Sequence, residues 1–369
     1  MSLAFYRKYR PQRLDDLLGQ EINVELLKNA ARQNRFGHAY LFYGSRGTGK
    51  TSTARLIAKL LNCDKRAADE KFRSLGEPCN ECRLCREIDA NACLDVMEID
   101  AASNRGIEEI RNLKESIHAA PVGGRFKVYI IDEAHMLTGP AFNALLKTLE
   151  EPPAHAVFVL ATTEYEKLPA TITSRTQRFL FKKLAKTKIL EKLTAIAQAE
   201  KIKTEPAALE LIAAAGEGSL RDAESILDQL ASMSEKIDLA AAERLTGRVG
   251  FRKVDDLAGH ILRHDLPGAL RHLAAVQEEG YNVVQLTRDL IHYLRKVLTY
   301  KTNPDLEQVL EMELTKDEML RLKELARELA PEQGVKLIKA FLRAYTEMRY
   351  SPFAAIPLEI ALVEQLSEK

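Results

Sequence analysis

Short apolar runs alternate with amphipathic segments throughout the first half of the chain. The segment GIEEIRNLKESIH (106–118) places its apolar residues at steps of three and four, which is one face of a helix. The segment PAFNALLKTLEE (140–151) begins with a proline suited to a first helical turn, and two further prolines end it. The apolar runs have the length and composition of strands: AYLFY (39–43), DVMEID (95–100), KVYIID (127–132), AVFVLATT (156–163) and RFLF (178–181). Strands that alternate with helices predict a mostly parallel sheet covered on both faces.

The pattern changes after about residue 182, beyond which it predicts helices and no strand. Residues 183–247 predict three helices, and longer helices follow to the end of the chain. One of these has an apolar stripe with steps of 3, 4, 4 and 3, typical of helix packing rather than of a cofactor site: Val283, Leu286, Leu290, Leu294 and Val297. We therefore predict an α/β plus all-α protein with domains at 1–182, 183–247 and 248–369.

Composition and charge narrow the function classes. The 369 residues are 46% hydrophobic and 29% charged, an ordinary globular balance, and the net charge of +1 gives no global basic field for nucleic acid. The N-terminal residues MSLAFYRKYRPQR lack the apolar core of a secretory signal, and no apolar run approaches the ~20 residues that span a bilayer. We expect a cytoplasmic protein without a membrane partner, in which clustered cysteines indicate metal or redox chemistry rather than disulfides.

The segment GSRGTGKT (44–51) matches the phosphate-loop pattern G-x-x-x-x-G-K-[ST] and lies between a predicted strand and a predicted helix. Its backbone N–H groups would surround the phosphates of ATP, Lys50 would reach the β- and γ-phosphates, and Thr51 would hold Mg²⁺. The alternative is a glycine-rich turn without a ligand, which the strand–loop–helix context disfavours. The predicted nucleotide-binding residues of the loop are Gly44, Ser45, Arg46, Gly47, Thr48, Gly49, Lys50, Thr51 and Ser52.

The segment VYIIDEAH places two acids at the end of a buried strand, where ligands bind in open α/β sheets. Asp132 is predicted to bind Mg²⁺, and Glu133 to orient or deprotonate the attacking water. Two solvated acids at a strand end are the alternative. Together with the phosphate loop, the pair favours ATP hydrolysis over binding alone. His135 is predicted to be structural.

Three cysteines lie within seven residues at Cys79, Cys82 and Cys85, and Cys63 precedes them at the end of the phosphate-loop helix. Zinc binds a tetrahedron of thiolates, and C-x₂-C turns place two sulfurs on one side of the ion. We predict a structural Zn²⁺ site formed by these four cysteines, with a redox role as the alternative. Residues 64–78 are predicted to be a polar loop, and Cys93 an ordinary buried thiol outside the set.

The segments YRPQRLDDLLGQ (9–20), ATTEYEKLPATITSRT (161–176) and GEGSLRDAESILDQL (216–230), together with the Asp-Glu pair and the cysteines, resemble the clamp-loader branch of AAA+ ATPases. More narrowly, the chain is similar to the gamma/tau family of bacterial DNA polymerase III. The similarity runs from Phe5 to about residue 247 and continues more faintly to SPFAAIPLEIALV (351–363). It implies an AAA+ P-loop NTPase domain (1–182) with a zinc insert (about 63–85), a helical lid (183–247) and a helical collar for oligomerisation (248–369).

The resemblance also implies roles for single residues. Thr163 matches a sensor of the γ-phosphate or its water, with an ordinary strand-end threonine as the alternative. Arg175 matches an arginine finger that reaches the ATP of a neighbouring subunit, although Thr176 departs from the family's usual Ser-Arg-Cys. Arg221 matches a second phosphate sensor in the lid. An arginine behind a Ser219 N-cap opposes the helix dipole and indicates an anionic partner, for which Asp222 is the alternative.

Further contacts follow from the same resemblance. Arg10, Pro11 and Leu18 are candidates for the adenine and ribose pocket. Polar residues before two predicted helices suit DNA phosphates, with ordinary N-capping as the alternative: Ser103, Asn104, Arg105 and Thr138. The zinc module would be a surface module that serves subunit contacts.

The implied function is the ATP-driven motor of a clamp loader, which opens the sliding clamp and loads it on primed DNA during replication. Its partners would be delta- and delta-prime-type subunits in a hetero-pentamer, the clamp, primed DNA and, for a longer form, the polymerase core and helicase. The chain shows no paired carboxylates for nucleotidyl transfer, so DNA-directed DNA polymerase activity would belong to the holoenzyme. The alternatives are another AAA+ DNA-remodelling ATPase, such as a branch-migration motor, and a non-hydrolysing clamp-loader stator.

Overall fold

The computed structural model describes residues 3–104, 113, 116–311 and 313–367, and the chain divides into two compact units, residues 1–184 and 185–369. Most of the helix predicted over residues 106–118 lies outside the described residues. None of the helices in the described ranges is long and apolar enough to cross a membrane.

A parallel sheet forms the centre of the first unit. Its five strands, counted over the described residues, are β1 (Ala39–Gly44), β2 (Val96–Asp100), β3 (Lys127–Asp132), β4 (Ala156–Thr162) and β5 (Gln177–Phe181). The order across the sheet is β2-β3-β4-β1-β5, and every pairing is parallel. The predicted parallel sheet is confirmed. Because all strands run the same way, β1, β3 and β4 end at the same edge, where the predicted catalytic residues follow them.

Both faces of the three central strands β1, β3 and β4 are buried, as continuous apolar strands predict. Alternate residues point to opposite faces, so neighbouring positions on one strand enter different cores: Tyr40 and Phe42 lie in one and Leu41 in the other. Among the described residues, the helices of this unit are α1 (Phe5–Lys8), α2 (Glu21–Gln33), α3 (Lys50–Asn62), α4 (Asp64–Ala68), α5 (Glu70–Arg73), α6 (Arg83–Asp89), α7 (Gly139–Glu150) and α8 (Ala170–Thr173).

Helices α4 and α5 correct the prediction of a polar loop over residues 64–78. The segment is polar, but one of its charged side chains is buried: Arg66 is 2% exposed and donates to the carbonyl oxygens of Leu60 and Ala31. Arg66 thus fixes the segment against α2 and α3. A solvated loop would not bury such a side chain.

Within the described residues, the second unit is built mainly from packed helices. They are α9 (Lys186–Ala199), α10 (Pro206–Ala215), α11 (Leu220–Met233), α12 (Leu239–Thr246), α13 (Phe251–Leu262), α14 (Leu266–Glu278), α15 (Val283–Thr302), α16 (Glu307–Glu311), α17 (Lys316–Glu328), α18 (Pro331–Met348) and α19 (Ile356–Ser367). The apolar stripe predicted on α15 lies in the core of this unit, against α13, α17 and α18. It is therefore a packing surface.

Two features of residues 183–247 differ from prediction. Four helices, α9 to α12, occupy this described stretch instead of three, because the Asp238 side chain accepts from the Ala241 N–H and begins the short helix α12. The prediction of no strand is also wrong: β6 (Lys203–Thr204) and β7 (Lys236–Ile237) pair in parallel. Strands of two residues are too short to carry a period-two pattern.

Candidate nucleotide site and four-cysteine cluster

The loop between β1 and α3 has the backbone that the phosphate-loop pattern predicts. Gly44, Gly47 and Gly49 all have positive φ values, of 136°, 70° and 101°. At Gly44 a β-carbon would also lie 2.1 Å from the carbonyl oxygen of Phe181, so no other residue fits. The sequence therefore folds the loop back on itself at the N-terminus of a 13-residue helix, which is an anion-binding geometry.

The side chain of Lys50 lies inside this loop. Its Nζ donates to the carbonyl oxygens of Gly44 (2.8 Å) and Ser45 (2.7 Å), and the residue is 6% exposed. Burial lowers the pKa of the Lys50 ammonium, and the carboxylates of Glu133 and Asp132 act in the opposite direction. The loop thus holds a cation at its centre beside two acids.

Thr51 and Asp132, the two predicted Mg²⁺ ligands, are in direct contact. The Thr51 hydroxyl donates to Asp132 Oδ2 at 2.7 Å, across 81 positions of sequence. Asp132 Oδ1 accepts from the Glu133 N–H at 2.9 Å, which fixes the carboxylate at the end of β3. A hydroxyl and a carboxylate at one point are hard oxygen ligands of the kind that Mg²⁺ binds beside phosphates. These residues therefore fit the ion.

The Glu133 carboxylate is turned toward β4. Its Oε2 accepts from the Thr163 hydroxyl at 2.9 Å and from the Thr163 N–H at 3.3 Å. Glu133 has φ 46° and ψ 46°, a left-handed conformation that costs a non-glycine residue energy and that is found at functional sites. The predicted base and the predicted phosphate sensor are thus hydrogen-bonded to each other.

His135 takes part in the same network, which the sequence prediction of a structural role did not include. Its Nδ1 lies 2.9 Å from the Thr162 hydroxyl and 3.4 Å from Glu133 Oε2, and its Nε2 lies 3.2 Å from Glu164 Oε1. The ring therefore supports the strand end that carries Thr163. Its spacing of two residues from Glu133 was the available signal.

Arg175 follows α8 and contacts an acid of its own chain. Its guanidinium donates to Glu150 Oε1 (2.9 Å from Nε), to the Thr171 carbonyl oxygen (2.8 Å) and to the Ser174 hydroxyl (3.2 Å). The side chain is 33% exposed and borders a cavity of about 640 Å³ that is also lined by Gly37 and His38. Glu150, at the end of α7, is a partner that no sequence motif indicated.

Arg221 lies in the first turn of α11, in the second unit. Ser219 caps that helix as predicted: its hydroxyl accepts from the Asp222 N–H at 3.2 Å. The Arg221 carbonyl oxygen accepts from the Ser225 hydroxyl. The role of Arg221 as a phosphate sensor stays a prediction.

The segment that carries the predicted adenine-pocket residues runs beside the phosphate loop. Arg10, Pro11 and Leu18 are each partly buried. Between them, Leu17 is 6% exposed, and its Cδ2 would lie 3.4 Å from a β-carbon at Gly49. Leu17 thus lies beside the loop, which the motif match did not indicate.

The predicted DNA contacts lie at exposed turns. Ser103 and Asn104 follow β2, where the Ser103 hydroxyl and the Asn104 amide donate to Asp100 at 3.1 Å each. Thr138 is exposed and caps α7, its hydroxyl accepting from the Ala141 N–H at 3.4 Å. Arg105 lies outside the described residues. Thr138 therefore acts as an N-cap, which was the alternative to a DNA contact. The N-terminus of α7 nevertheless remains exposed.

The four predicted cysteine ligands converge. The Sγ atoms of Cys63, Cys79, Cys82 and Cys85 all lie within 4.8 Å of one another, and those of Cys79 and Cys85 are 3.9 Å apart. A zinc tetrahedron with Zn–S bonds of about 2.3 Å has edges of about 3.8 Å. The Glu81 and Cys82 N–H groups donate to Cys79 Sγ, and a hydrogen bond with Cys85 lowers the pKa of the Cys63 thiol. The donor set and its spacing fit a closed structural zinc site.

Cys93 is not part of this cluster. It is 7% exposed and packs in the core on one face of the sheet, and burial raises the pKa of its thiol. The prediction of an ordinary buried thiol is confirmed.

Family models match nearly the whole chain in three consecutive pieces. The model of the DNA polymerase III delta subunit matches residues 19–185, and that of the ATPase lid domain of the DNA polymerase III clamp loader subunit matches residues 188–236. The model of domain III of DNA polymerase III subunits gamma and tau matches residues 237–367.

Curated relatives match over the same length. The DNA polymerase III subunit tau of Bacillus subtilis is 43% identical over 98% of this chain and 62% of its own length, and that of Escherichia coli is 38% identical over 98% and 55%. The DNA polymerase III subunit gamma of Buchnera aphidicola is 33% identical over 98% of both chains. The chain therefore spans little more than half the length of the tau relatives.

Proposed function

This chain belongs to the gamma/tau family of DNA polymerase III subunits, and on that premise we propose that it is an ATP-hydrolysing motor of a sliding-clamp loader. One observation carries the ATPase assignment: Lys50, Thr51, Asp132, Glu133 and Thr163 come together at the carboxyl ends of three neighbouring strands. This is the arrangement of cation, metal ligands and base that phosphoryl transfer to water requires.

Each residue has a chemical part in the proposed reaction. The loop N–H groups and Lys50 bind the β- and γ-phosphates of ATP, and Arg10, Pro11 and Leu18 border the adenosine. Thr51 and Asp132 would hold Mg²⁺, which when bound would neutralise negative charge on the phosphates. Glu133 accepts a proton from the attacking water, and Thr163 orients that water or the γ-phosphate. The Thr163 hydroxyl donates to Oε2 of Glu133, and the second carboxylate oxygen can accept the proton.

Hydrolysis is proposed to require a neighbouring subunit. Arg175 would leave Glu150 and reach the γ-phosphate across the subunit interface, and Arg221 would contact phosphate from the lid. We assign the lid to residues 183–247 because α12 packs against α10 and α11. Residues 248–369 would form the oligomerisation collar. The family models divide the chain earlier, at residues 236 and 237.

The substrates and partners follow from the family. ATP binding would arrange this chain with delta- and delta-prime-type subunits around primed DNA and open the sliding clamp, and hydrolysis would release the closed clamp. The polymerase core and helicase are partners of a longer form. Ser103, Asn104, Arg105 and Thr138 would contact DNA phosphates without reading sequence. The activity belongs in the bacterial cytoplasm, with the DNA that is replicated.

Replacing Lys50 tests the nucleotide site. Lys50→Ala removes the cation at the centre of the loop, so we expect ATP affinity to fall at least about tenfold, because hydrogen bonds to charged groups are among the stronger ones. The affinity is measured by calorimetric titration with ATP in the presence of Mg²⁺. The matched control is Lys71→Ala, an exposed lysine on α5. Equal affinity for both variants would contradict the assignment.

Metal analysis tests the cysteine cluster. We propose one structural Zn²⁺ per chain, and we expect Cys82→Ser to lose it while Cys93→Ser keeps it. Structural zinc in small peptides contributes about 10–16 kcal/mol of apparent binding free energy, so its loss should loosen residues 63–85. The phosphate loop, built on β1 and α3, should still bind triphosphate. Wild-type protein without stoichiometric metal would refute the site.

A further inference from the structure

The loop before Cys79 carries a carboxylate that is buried in the first unit. Glu77 is 1% exposed although it is charged. Its Oε2 accepts from the Leu14 N–H at 2.7 Å, and its Oε1 accepts from the Asp15 N–H at 3.1 Å and pairs with Lys28 Nζ at 3.0 Å. A buried carboxylate with three donors forms a fixed contact, because leaving any of these groups unpaired is costly.

The backbone next to Glu77 also lies close to α2. Gly76 has φ +72°, and a β-carbon there would lie 3.0 Å from the Lys28 carbonyl oxygen. The Arg32 guanidinium donates to the Ser74 carbonyl oxygen at 3.1 Å. Ser74, Gly76 and Glu77 of this loop therefore all lie against α2. Glu77 also accepts hydrogen bonds from residues 14 and 15.

A second buried charge joins the same elements. Lys59, on the phosphate-loop helix α3, is 1% exposed. Its Nζ donates to Gln12 Oε1 (2.5 Å), to Asn80 Oδ1 (3.1 Å) and to Asp89 (2.5 Å to Oδ1). Asn80 lies between Cys79 and Cys82, so the Lys59 ammonium connects α3, the turn that carries these cysteines, and Gln12.

Both charges therefore hold the stretch 10–18, here called the N-terminal segment. The segment is also braced internally, since Asp16 Oδ2 accepts from the N–H groups of Gln12 (3.0 Å) and Arg13 (2.8 Å). At its far end Leu17 lies beside Gly49 of the phosphate loop, where its Cδ2 would be 3.4 Å from an added β-carbon. Glu77 and Lys59 thus hold this segment at three of its residues, 12, 14 and 15, beside the loop.

We propose that Glu77 and Lys59 are positioning residues of the nucleotide site, which hold the N-terminal segment as the wall against which adenosine binds. This inference rests on the proposed ATP site. It makes the cysteine module part of the nucleotide pocket, in addition to any role at the surface. The side chains of the phosphate half of the pocket, residues 44–51, form hydrogen bonds within the loop and with Asp132 rather than with Glu77 or Lys59.

A positioning role can be separated from a role in folding by comparing two ligands. ATP uses both halves of the pocket, whereas inorganic tripolyphosphate uses the phosphate half alone. If the segment moves from its position, the affinity for ATP should therefore fall while the affinity for tripolyphosphate stays the same. General destabilisation of the fold would weaken both ligands or neither.

The experiment uses the full chain with Mg²⁺ and calorimetric titration of each ligand. Glu77→Gln keeps the volume but presents an amide to the Leu14 and Asp15 N–H groups, and we expect ATP affinity to fall about tenfold with tripolyphosphate within about twofold. Gln12→Ala, which leaves Lys59 with Asn80 and Asp89, should give the same pattern at about threefold and decides the case if Glu77→Gln does not fold. Glu70→Gln, at a side chain 89% exposed on α5, is the control and should change neither ligand.

The outcomes separate this inference from the function on which it rests. Selective loss of ATP affinity in Glu77→Gln or Gln12→Ala supports it. Unchanged ATP affinity in the variants that fold, or parallel loss of both ligands, overturns it. Lys50→Ala should lose both ligands. If Lys50→Ala lost neither, the nucleotide site itself would be wrong.

Discussion

Mixing Arg175→Ala subunits with Lys50→Ala subunits is expected to restore ATP hydrolysis that neither variant shows alone. Arg175→Ala keeps a complete phosphate loop but lacks the finger for its neighbour, and Lys50→Ala keeps the finger but lacks a working loop. At a mixed interface the two intact halves meet. An arginine supplied in trans stabilises charge on the γ-phosphoryl group and contributes on the order of 10³–10⁵ in rate in well-studied NTPases.

The geometry of Arg175 is consistent with this result. The guanidinium is partly exposed, and its hydrogen bonds go to Glu150, Thr171 and Ser174. An ion pair at this exposure is weak, so Arg175 can exchange Glu150 for a phosphate at modest cost. The control is the Arg178→Ala variant, because Arg178 is an exposed arginine on β5. This variant should hydrolyse ATP at the normal rate. Failure of co-assembled variants to recover hydrolysis, or full hydrolysis by isolated monomers, would show that the site is complete within one chain.

Much of the nucleotide site could be predicted because its residues are encoded locally. The phosphate loop needs glycines at fixed spacing after a strand, and the positive φ values of Gly44, Gly47 and Gly49 are the physical reason. Asp132 is the last residue of a strand whose four preceding residues, 128–131, are buried, so its place at the sheet edge follows from the topology. The four cysteines were predictable for the same reason, since metal geometry restricts their spacing.

The contacts that link distant segments could not be predicted. Glu77 and Lys59 are separated from their partners Leu14 and Gln12 by 63 and 47 positions, and on the sequence both look like ordinary surface charges. The hydrogen bond between Glu133 and Thr163 likewise depends on β3 and β4 being neighbours. Charge patterns do not reveal which charged residue is buried, because burial is decided by the packing of other elements.

Short elements were missed for a related reason. The helix α12 and the strands β6 and β7 carry too few residues for a hydrophobic period to stand out. Asp238, which caps α12, also follows β7 directly, so a single residue separates the strand from the helix. In such segments tertiary packing, rather than local pattern, determines the structure.

Replacing Glu133 by Gln is expected to separate nucleotide binding from turnover. Glutamine keeps the size of the side chain but cannot accept a proton from water, and general-base catalysis typically contributes 10²–10⁴ in rate. Lys50, Thr51 and Asp132 remain in place, so ATP and Mg²⁺ should bind with nearly wild-type affinity. The variant should therefore accumulate in an ATP-bound, clamp-holding state.

The most direct measurement is the rate of ATP hydrolysis by wild type and Glu133→Gln, each assembled with the other clamp-loader subunits. Each assembly is assayed alone, with the sliding clamp, and with the clamp plus primed DNA. A clamp-loader motor predicts that clamp and primed DNA together stimulate the wild type strongly, while Glu133→Gln binds ATP and stays at least about 100-fold slower. A wild-type rate indifferent to clamp and primed DNA, or a Glu133→Gln rate equal to that of the wild type, would contradict the proposed function.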